Sequence, residues 1–138
     1  MLSMNKYNNL ILLLLVLCLS SCIFEYVEIY HINKSKEDVL IACSAYGGEL
    51  STRNGSNFEL LASGDTLIRS YDMEVEDIWQ VVVIKKSTYE YFSEDYLSQH
   101  DVYDMRKAYS RSALKQIGYK IVITDYDLSI PKNDEHDN

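Results

Sequence analysis

The chain has 138 residues, of which 21 are acidic and 13 are basic, and its net charge is −8 at neutral pH. This length suits one domain with a single hydrophobic core. The acidic balance argues against a nucleic-acid partner and against electrostatic binding to anionic lipid, because both need clustered positive charge.

Residues 10–19 form an unbroken run of ten apolar residues that follows the single positive charge of Lys6. A membrane-spanning helix needs about 20 apolar residues, whereas the apolar part of a secretory signal needs only about 7 to 15. The run is therefore too short to span a bilayer. We predict a signal peptide over residues 1–21 that is removed from the mature chain.

The end of this segment, Leu19-Ser20-Ser21-Cys22, resembles the lipobox of bacterial lipoproteins. The resemblance implies that Cys22 is acylated, becomes the new N-terminus and attaches the protein to the cell envelope, at the outer membrane. A plain secretory peptide and a short core helix are the alternatives, but neither gives Cys22 a use. Each buried CH₂ group contributes about 0.8 kcal/mol, so two or more acyl chains anchor a protein stably.

Cleavage before Cys22 removes Lys6 and no acidic residue, which takes the net charge from −8 to −9. It also removes Cys18, and acylation occupies Cys22, so Cys43 is left without a disulfide partner. Val39, Ile41 and Cys43 share one face of a predicted strand. We therefore interpret Cys43 as a small buried hydrophobe and not as a nucleophile.

The mature chain divides into a lipidated anchor and short linker over residues 22–25, a β-rich domain over residues 26–126 and a polar, disordered tail over residues 127–138. Aromatic and β-branched runs between polar turns predict strands. They cover residues 26–32, 38–44, 58–62, 66–71, 78–84 and 119–125, and a helix over residues 35–46 is the alternative to the second strand. The third and fourth strands are predicted to form a hairpin. Residues 78–84 are apolar on both faces, which predicts a central strand with Trp79 in the core.

Two helices are predicted in the second half of the domain. Ser87 and Glu90 have the spacing of a capping box, which predicts a helix over residues 87–99. Its inward stripe is predicted to consist of Tyr89, Phe92, Tyr96 and Leu97. A short edge strand around Tyr103 and a helix over residues 110–117, ended by Gly118, follow. The resulting fold is a mostly antiparallel β-sandwich, immunoglobulin-like in general shape, with two short helices. An α+β domain with a single sheet is the alternative.

One set of residues in the second half of the chain matches a known pattern. It consists of Val82, Lys85, Lys86, Tyr89, Tyr91, Phe92, residues 103–106, Leu114 and residues 119–124. This stretch, about a third of the chain, resembles small uncharacterised lipoproteins of Bacteroidetes, in which a strand, a helix, a Tyr-Asp-x-Arg stretch, a second helix and a last strand close a sandwich-like domain. That family has no assigned activity, so the resemblance implies an envelope location and a fold only.

Within that family resemblance, Asp65-Thr66-Leu67 is similar to the O-glycosylation acceptor of Bacteroidetes, which implies a glycan on Thr66. Two other candidate sites are weaker. The acidic residues 72–77 suggest calcium, but they lack the glycine of a calcium loop, so we interpret them as a solvated turn. His100 with Glu94, Asp101 and Asp104 suggests a metal, but no metal-ligand spacing supports it.

We carry three functional hypotheses. The first is a lipid-anchored binding or structural module of the envelope without catalysis, whose partners are the membrane, through Cys22, and an envelope protein or glycan. The second is a carbohydrate-binding accessory, suggested by eleven mature tyrosines and Trp79, which one exposed patch of Tyr96, Tyr103 and Tyr109 would favour. The third is an enzyme, which a pocket joining His31 or His100 to carboxylates would favour. We find no catalytic motif and expect no cofactor and no metal.

Overall fold

The computed structural model describes residues 26–45, 50–51, 57–74 and 76–129. The predicted signal peptide, Cys22 and the linker to residue 25 lie outside this range, as do most of the loop over residues 46–56 and the end of the predicted tail from residue 130. The described chain is mostly β and folds as two packed sheets with short helices between and beside the strands.

Seven strands and four helices make up the described chain. The strands are β1 (Tyr26–Asn33), β2 (Val39–Ser44), β3 (Glu59–Leu61), β4 (Thr66–Asp72), β5 (Ile78–Lys85), β6 (Met105–Ser110) and β7 (Lys120–Ile123). The helices are α1 (Lys86–Tyr91), α2 (Glu94–Gln99), α3 (Arg111–Gln116) and α4 (Asp125–Ser129). None of these four helices is long and apolar enough to cross a membrane.

The strands form a three-stranded sheet of order β4-β1-β7 and a four-stranded sheet of order β3-β2-β5-β6. All neighbours are antiparallel except β1 and β7, which run parallel. Both sheets contribute to one buried core, which includes Ile29 of β1 and Ile121 of β7 on one side and Ile41 of β2 and Val81 of β5 on the other. The predicted sandwich is confirmed, and the single-sheet alternative is wrong.

The strand β5 is central, as its apolar sequence predicted. Trp79 is 3% exposed and Val81 and Val83 are fully buried, so this face of β5 points into the core between the sheets. Val82 and Ile84, on the other face, are also buried, because α1 packs against β5 and β2. Ile78 was predicted to be buried like the other apolar residues of this strand, but it is the first residue of β5 and is 43% exposed.

The predicted hairpin between the third and fourth strands is wrong. β3 pairs with β2 and β4 pairs with β1, so the turn at Ser63 and Gly64 carries the chain from one sheet to the other. Gly64 has a φ of +87°, a conformation that favours glycine. Residues 34–38 make a second crossing, from β1 to β2. The strands were predictable because alternation is local, whereas pairing depends on how the two sheets pack.

The single predicted helix over residues 87–99 is two helices. Ser87 makes no capping bond; its hydroxyl donates to Glu37 instead, and α1 begins one residue earlier. Phe92 ends α1 in an extended conformation, and Ser93 caps α2 by accepting from the amide of Tyr96 at 3.2 Å. Leu97 of α2 is buried, while Tyr96 is 41% exposed, so the predicted inward stripe is confirmed at Leu97 and wrong at Tyr96.

Two further boundaries differ from the prediction. The edge strand expected around Tyr103 begins later, at Met105, and the carboxylate of Asp104 just before it accepts from the backbone amide of Lys85 at 2.7 Å. The chain also continues as α4 beyond residue 126, where a tail was predicted, and Leu128 of that helix is 6% exposed in the core. The structured domain therefore extends at least to Ser129.

The ends of α3 agree with the sequence. Ser110 caps the helix by accepting from the amide of Ala113 at 3.2 Å. Gly118 follows the helix with a φ of +61°, and Tyr119 also has a positive φ, of +58°. The amide of Tyr119 donates to the carbonyl of Leu114 at 2.8 Å, so these two residues end the helix and turn the chain into β7.

Candidate functional site

The outer face of the four-stranded sheet carries the most varied chemistry among the described residues. Alternation places Gln80 of β5 and Arg106 of β6 on this face, next to the buried Val82. The amide of Leu50 donates to Oε1 of Gln80 at 2.8 Å, which places residues 50–51 over the sheet. Together with α1 and α2, these residues form the helical face of the domain.

An aromatic column of Phe92, Tyr96 and His100 runs along α2 on the helical face. The rings of Phe92 and Tyr96 are stacked with centroids 4.7 Å apart, and those of Tyr96 and His100 with centroids 4.0 Å apart. Tyr91 stands edge-on to Phe92 at 5.0 Å and is 83% exposed. The spacing of four residues, which aligns side chains along a helix, is visible in the sequence and could have revealed the column.

A charged pair follows the aromatic column in the chain. Nη2 of Arg106 donates to Oδ2 of Asp101 at 2.5 Å, and the guanidinium lies 4.1 Å from the ring centroid of Tyr103. The hydroxyl of Ser51 donates to the other carboxylate oxygen of Asp101 at 3.0 Å. Arg106 and Asp101 are both mostly buried. A guanidinium held between a carboxylate and an aromatic ring is positioned firmly, because both contacts restrict the same flat group.

The three tyrosines of the carbohydrate hypothesis do not form one patch. Tyr109 pairs with Trp79 across the strands and packs against the core, on the inner face of the sheet. Tyr103 lies beneath Arg106, which stands on the outer face, and Tyr96 belongs to the column. Both faces of the Tyr96 ring are covered by neighbouring rings, so the ring presents its edge to the surroundings.

The two histidines of the enzyme hypothesis lie in different environments. His31 is fully buried, and its ring is held between the indole of Trp79 and the carbonyl of Leu67. His100 is exposed at the end of α2, with Nδ1 3.0 Å from the carbonyl oxygen of Tyr96. Among residues 26–45, 50–51, 57–74 and 76–129, no three His, Cys, Asp or Glu side chains come together as a metal site would require.

A buried polar network joins the two chain crossings at one end of the sandwich. Nδ2 of Asn33 donates to the carbonyls of Glu37 at 2.9 Å and Leu61 at 3.0 Å. Its Oδ1 accepts from the amide and the hydroxyl of Ser35. Asn33 is fully buried and Ser35 is 3% exposed. All four hydrogen bonds serve backbone groups or Ser35 within the crossings, so the network is structural and not a ligand site.

Cys43 and Thr66 are the other residues that the sequence singled out. Cys43 is half-buried and packs against the core. Burial raises the pKa of its thiol, although nearby Arg69 opposes the shift, so the thiol is protonated at neutral pH. This agrees with a packing role, although the side chain is less buried than predicted. Thr66 is exposed, as the first residue of β4, and pairs with Ile32.

Asp72, the first of the acidic residues 72–77, is the last residue of β4, and Glu74 and Asp77 precede β5. Here Oδ2 of Asp77 accepts from the amide of Glu74 at 2.8 Å, which closes a tight turn. These findings together define a two-sheet β-sandwich module with helices over one of its outer faces. Comparison of the chain with protein-family models, with curated proteins and with solved structures finds no match.

Proposed function

We propose that this protein is a lipid-anchored module of the bacterial cell envelope, held at the outer membrane through Cys22, and that it binds another envelope component instead of catalysing a reaction. The observation that carries the proposal is the lipobox sequence at residues 19–22, which stands four residues before the first strand of the sandwich. The resemblance to Bacteroidetes lipoproteins is part of the same proposal.

The anchor is tested by comparing Cys22→Ala with Cys18→Ala in the producing bacterium. Cys18 lies inside the apolar run, so its substitution should leave processing and lipid labelling unchanged. Cys22→Ala should abolish labelling with a radioactive fatty acid and leave unprocessed or soluble protein. Fatty-acid labelling of Cys22→Ala equal to that of the native protein would refute the anchor.

The binding surface in this proposal is the helical face. Tyr91 supplies an exposed aromatic ring, and the pair of Arg106 and Asp101 supplies positioned charge beside Tyr103. Aromatic and arginine side chains are enriched where proteins contact each other. Of these residues Tyr91 is the exposed one, whereas Arg106 is mostly buried. Stacking covers both faces of the Tyr96 ring, so the column itself offers no open ring face to a sugar. The exposed Tyr91 ring suits an envelope protein or a glycan as the partner.

The binding surface is tested with a photo-crosslinking amino acid placed at Tyr91 in the anchored protein. Tyr126 on α4 is the matched control, because it is also a tyrosine and is 75% exposed. We expect a specific crosslinked partner at position 91 and none at position 126. Equal crosslinking at both positions, or none at position 91, would refute the helical face as the binding surface.

A further inference from the structure

The outer face of the three-stranded sheet differs from the helical face, because several of its apolar side chains are exposed within the part of the chain that the structure describes. Ile68 is 48% exposed, Val122 is 38% exposed and Tyr26 is 71% exposed, all on this face. We call it the open face. Its pairing places Ile68 beside Tyr30, and Val122 beside Ile32, so the exposed apolar side chains form two adjacent rows across the sheet.

The open face begins at the anchor. Tyr26, the first residue of β1, has its side chain on this face, and only residues 23–25 separate it from Cys22. Four Cα-to-Cα steps separate Cys22 from Tyr26 and span at most about 14 Å, so an acylated Cys22 would keep the start of β1 close to the lipid headgroups. The rest of β1 extends by about 3.3 Å per residue, so the whole strand can lie along the bilayer surface.

From these observations we propose that the open face docks on the lipid bilayer to which Cys22 is attached. This inference rests on the proposed lipid anchor. Tyrosine suits the membrane–water interface because its ring is apolar and its hydroxyl is polar. The two apolar rows of Tyr30, Ile68, Ile32 and Val122 bury their side chains among the headgroups. The helical face, on the other sheet, then points away from the membrane.

The charges on the open face determine which lipid it accepts. Asp72 stands directly opposite Tyr26, Glu28 follows in the next row, and Lys120 stands beside Tyr30. The hydroxyl of Tyr30 donates to Glu28 at 2.7 Å. With more negative than positive charge here, docking depends on apolar contact and not on anionic lipid. Vesicles of zwitterionic phosphatidylcholine should therefore suffice, and added phosphatidylglycerol should weaken docking.

The test uses the full lipidated protein in phosphatidylcholine vesicles, in a Cys43→Ser background. An environment-sensitive fluorophore is attached at Ile68→Cys or, as the matched control, at Leu60→Cys. Leu60 is 61% exposed on the outer face of the other sheet, so it is the more accessible site in solution. We expect a blue shift and loss of emission with quencher-bearing lipid at position 68 and neither at position 60. Adding Val122→Lys should restore the emission at position 68 without releasing the protein from the vesicle.

The outcomes separate this inference from the anchor. Native protein that leaves membranes in a high-salt wash refutes the anchor. Anchored protein whose label at position 68 is not quenched refutes docking alone. A blue shift at position 68 that grows with protein concentration in detergent, without lipid, would mean that a second copy covers the face, and it would also overturn docking.

Discussion

Trp79 and His31 join the two sheets through a hydrogen bond of 3.0 Å, in which the indole Nε1–H donates to Nε2 of the imidazole. On the other side of the ring, Nδ1 lies 3.3 Å from the carbonyl of Leu67. A neutral histidine that carries its proton on Nδ1 satisfies both bonds. This pairing places a polar pair in the centre of an otherwise apolar core and leaves each ring nitrogen with a partner.

Trp79→Ala should cost about 3 to 5 kcal/mol of unfolding free energy, because it removes a large buried side chain and leaves Nε2 of His31 without its donor. Trp79→Phe, which keeps most of the apolar volume but not the donor, should cost less. Denaturant melts measure both. An unchanged midpoint for Trp79→Ala would contradict the central position of this residue.

The free energy of unfolding should fall in mild acid, because His31 takes up a proton more readily in the unfolded chain than in the folded protein. Burial, reinforced by nearby Arg69 and opposed by the bond to Leu67, lowers the pKa of His31 from 6.5 to about 4. The unfolded chain therefore takes up a proton more readily than the folded protein. The stabilisation is fully present above pH 6.5 and is lost as the pH falls toward 4, by up to about 1.4 kcal/mol per pH unit.

Urea melts across this pH range check the prediction, with His31→Gln as the control. Glutamine can still accept from Trp79 but does not titrate, so the variant should lose less stability between pH 6.5 and 4. Equal slopes for the two proteins would show that other groups cause the acid sensitivity.

Asp127 does not titrate in the same pH range as His31. Partial burial raises the pKa of Asp127, but bonds from Lys107 and Thr124 outweigh burial and lower it, so its contribution to stability is lost at lower pH.

Asn33→Leu should destabilise the domain by about 3 kcal/mol or more. The leucine has a similar size but removes all four hydrogen bonds of Asn33. The hydroxyl of Ser35 and the carbonyl of Glu37 still bond to each other, whereas the amide of Ser35 and the carbonyl of Leu61 lose their bonds to Asn33. Each buried unsatisfied group costs about 1 to 3 kcal/mol. Asn57→Leu, at an exposed position, is the matched control and should change little. Similar melting curves for the two variants would contradict the structural role of the network.

The helix α4 is tested by a pair of substitutions within it. Leu128 is 6% exposed and Tyr126 is 75% exposed. Leu128→Ala should cost about 2 to 5 kcal/mol, as is usual for a core leucine, whereas Tyr126→Ala should stay within about 0.5 kcal/mol. Thermal melts of the two variants compare them directly. A neutral Leu128→Ala would mean that the domain ends before α4, as the sequence suggested.

The predicted O-glycan on Thr66 and the proposed docking of the open face on lipid lead to different results at this residue. The sequence Asp65-Thr66-Leu67 implies an O-glycan, but Thr66 stands on the open face in the same row as Ile32 and Val122. A glycan there would hold that face away from lipid, so docking requires a bare hydroxyl. We therefore expect the intact mass of the native protein to match the lipidated chain without a glycan. A glycan mass that disappears in Thr66→Ala would confirm the motif and contradict docking.

The sequence by itself determined most of the strands, the central position of Trp79, the end of α3 at Gly118 and the prediction of a lipid anchor. These features depend on residues that are neighbours in the chain. The strands follow from apolar and polar residues that alternate with a period of two, the helix end from a glycine after the helix, and the anchor from a cysteine after an apolar run. Only the tertiary structure decided that β3 and β4 belong to different sheets, that Ser87 bonds to Glu37 instead of capping a helix, and that His31 pairs with Trp79. Each of these joins residues far apart in sequence, and the free energy that selects them comes from packing two sheets around one core.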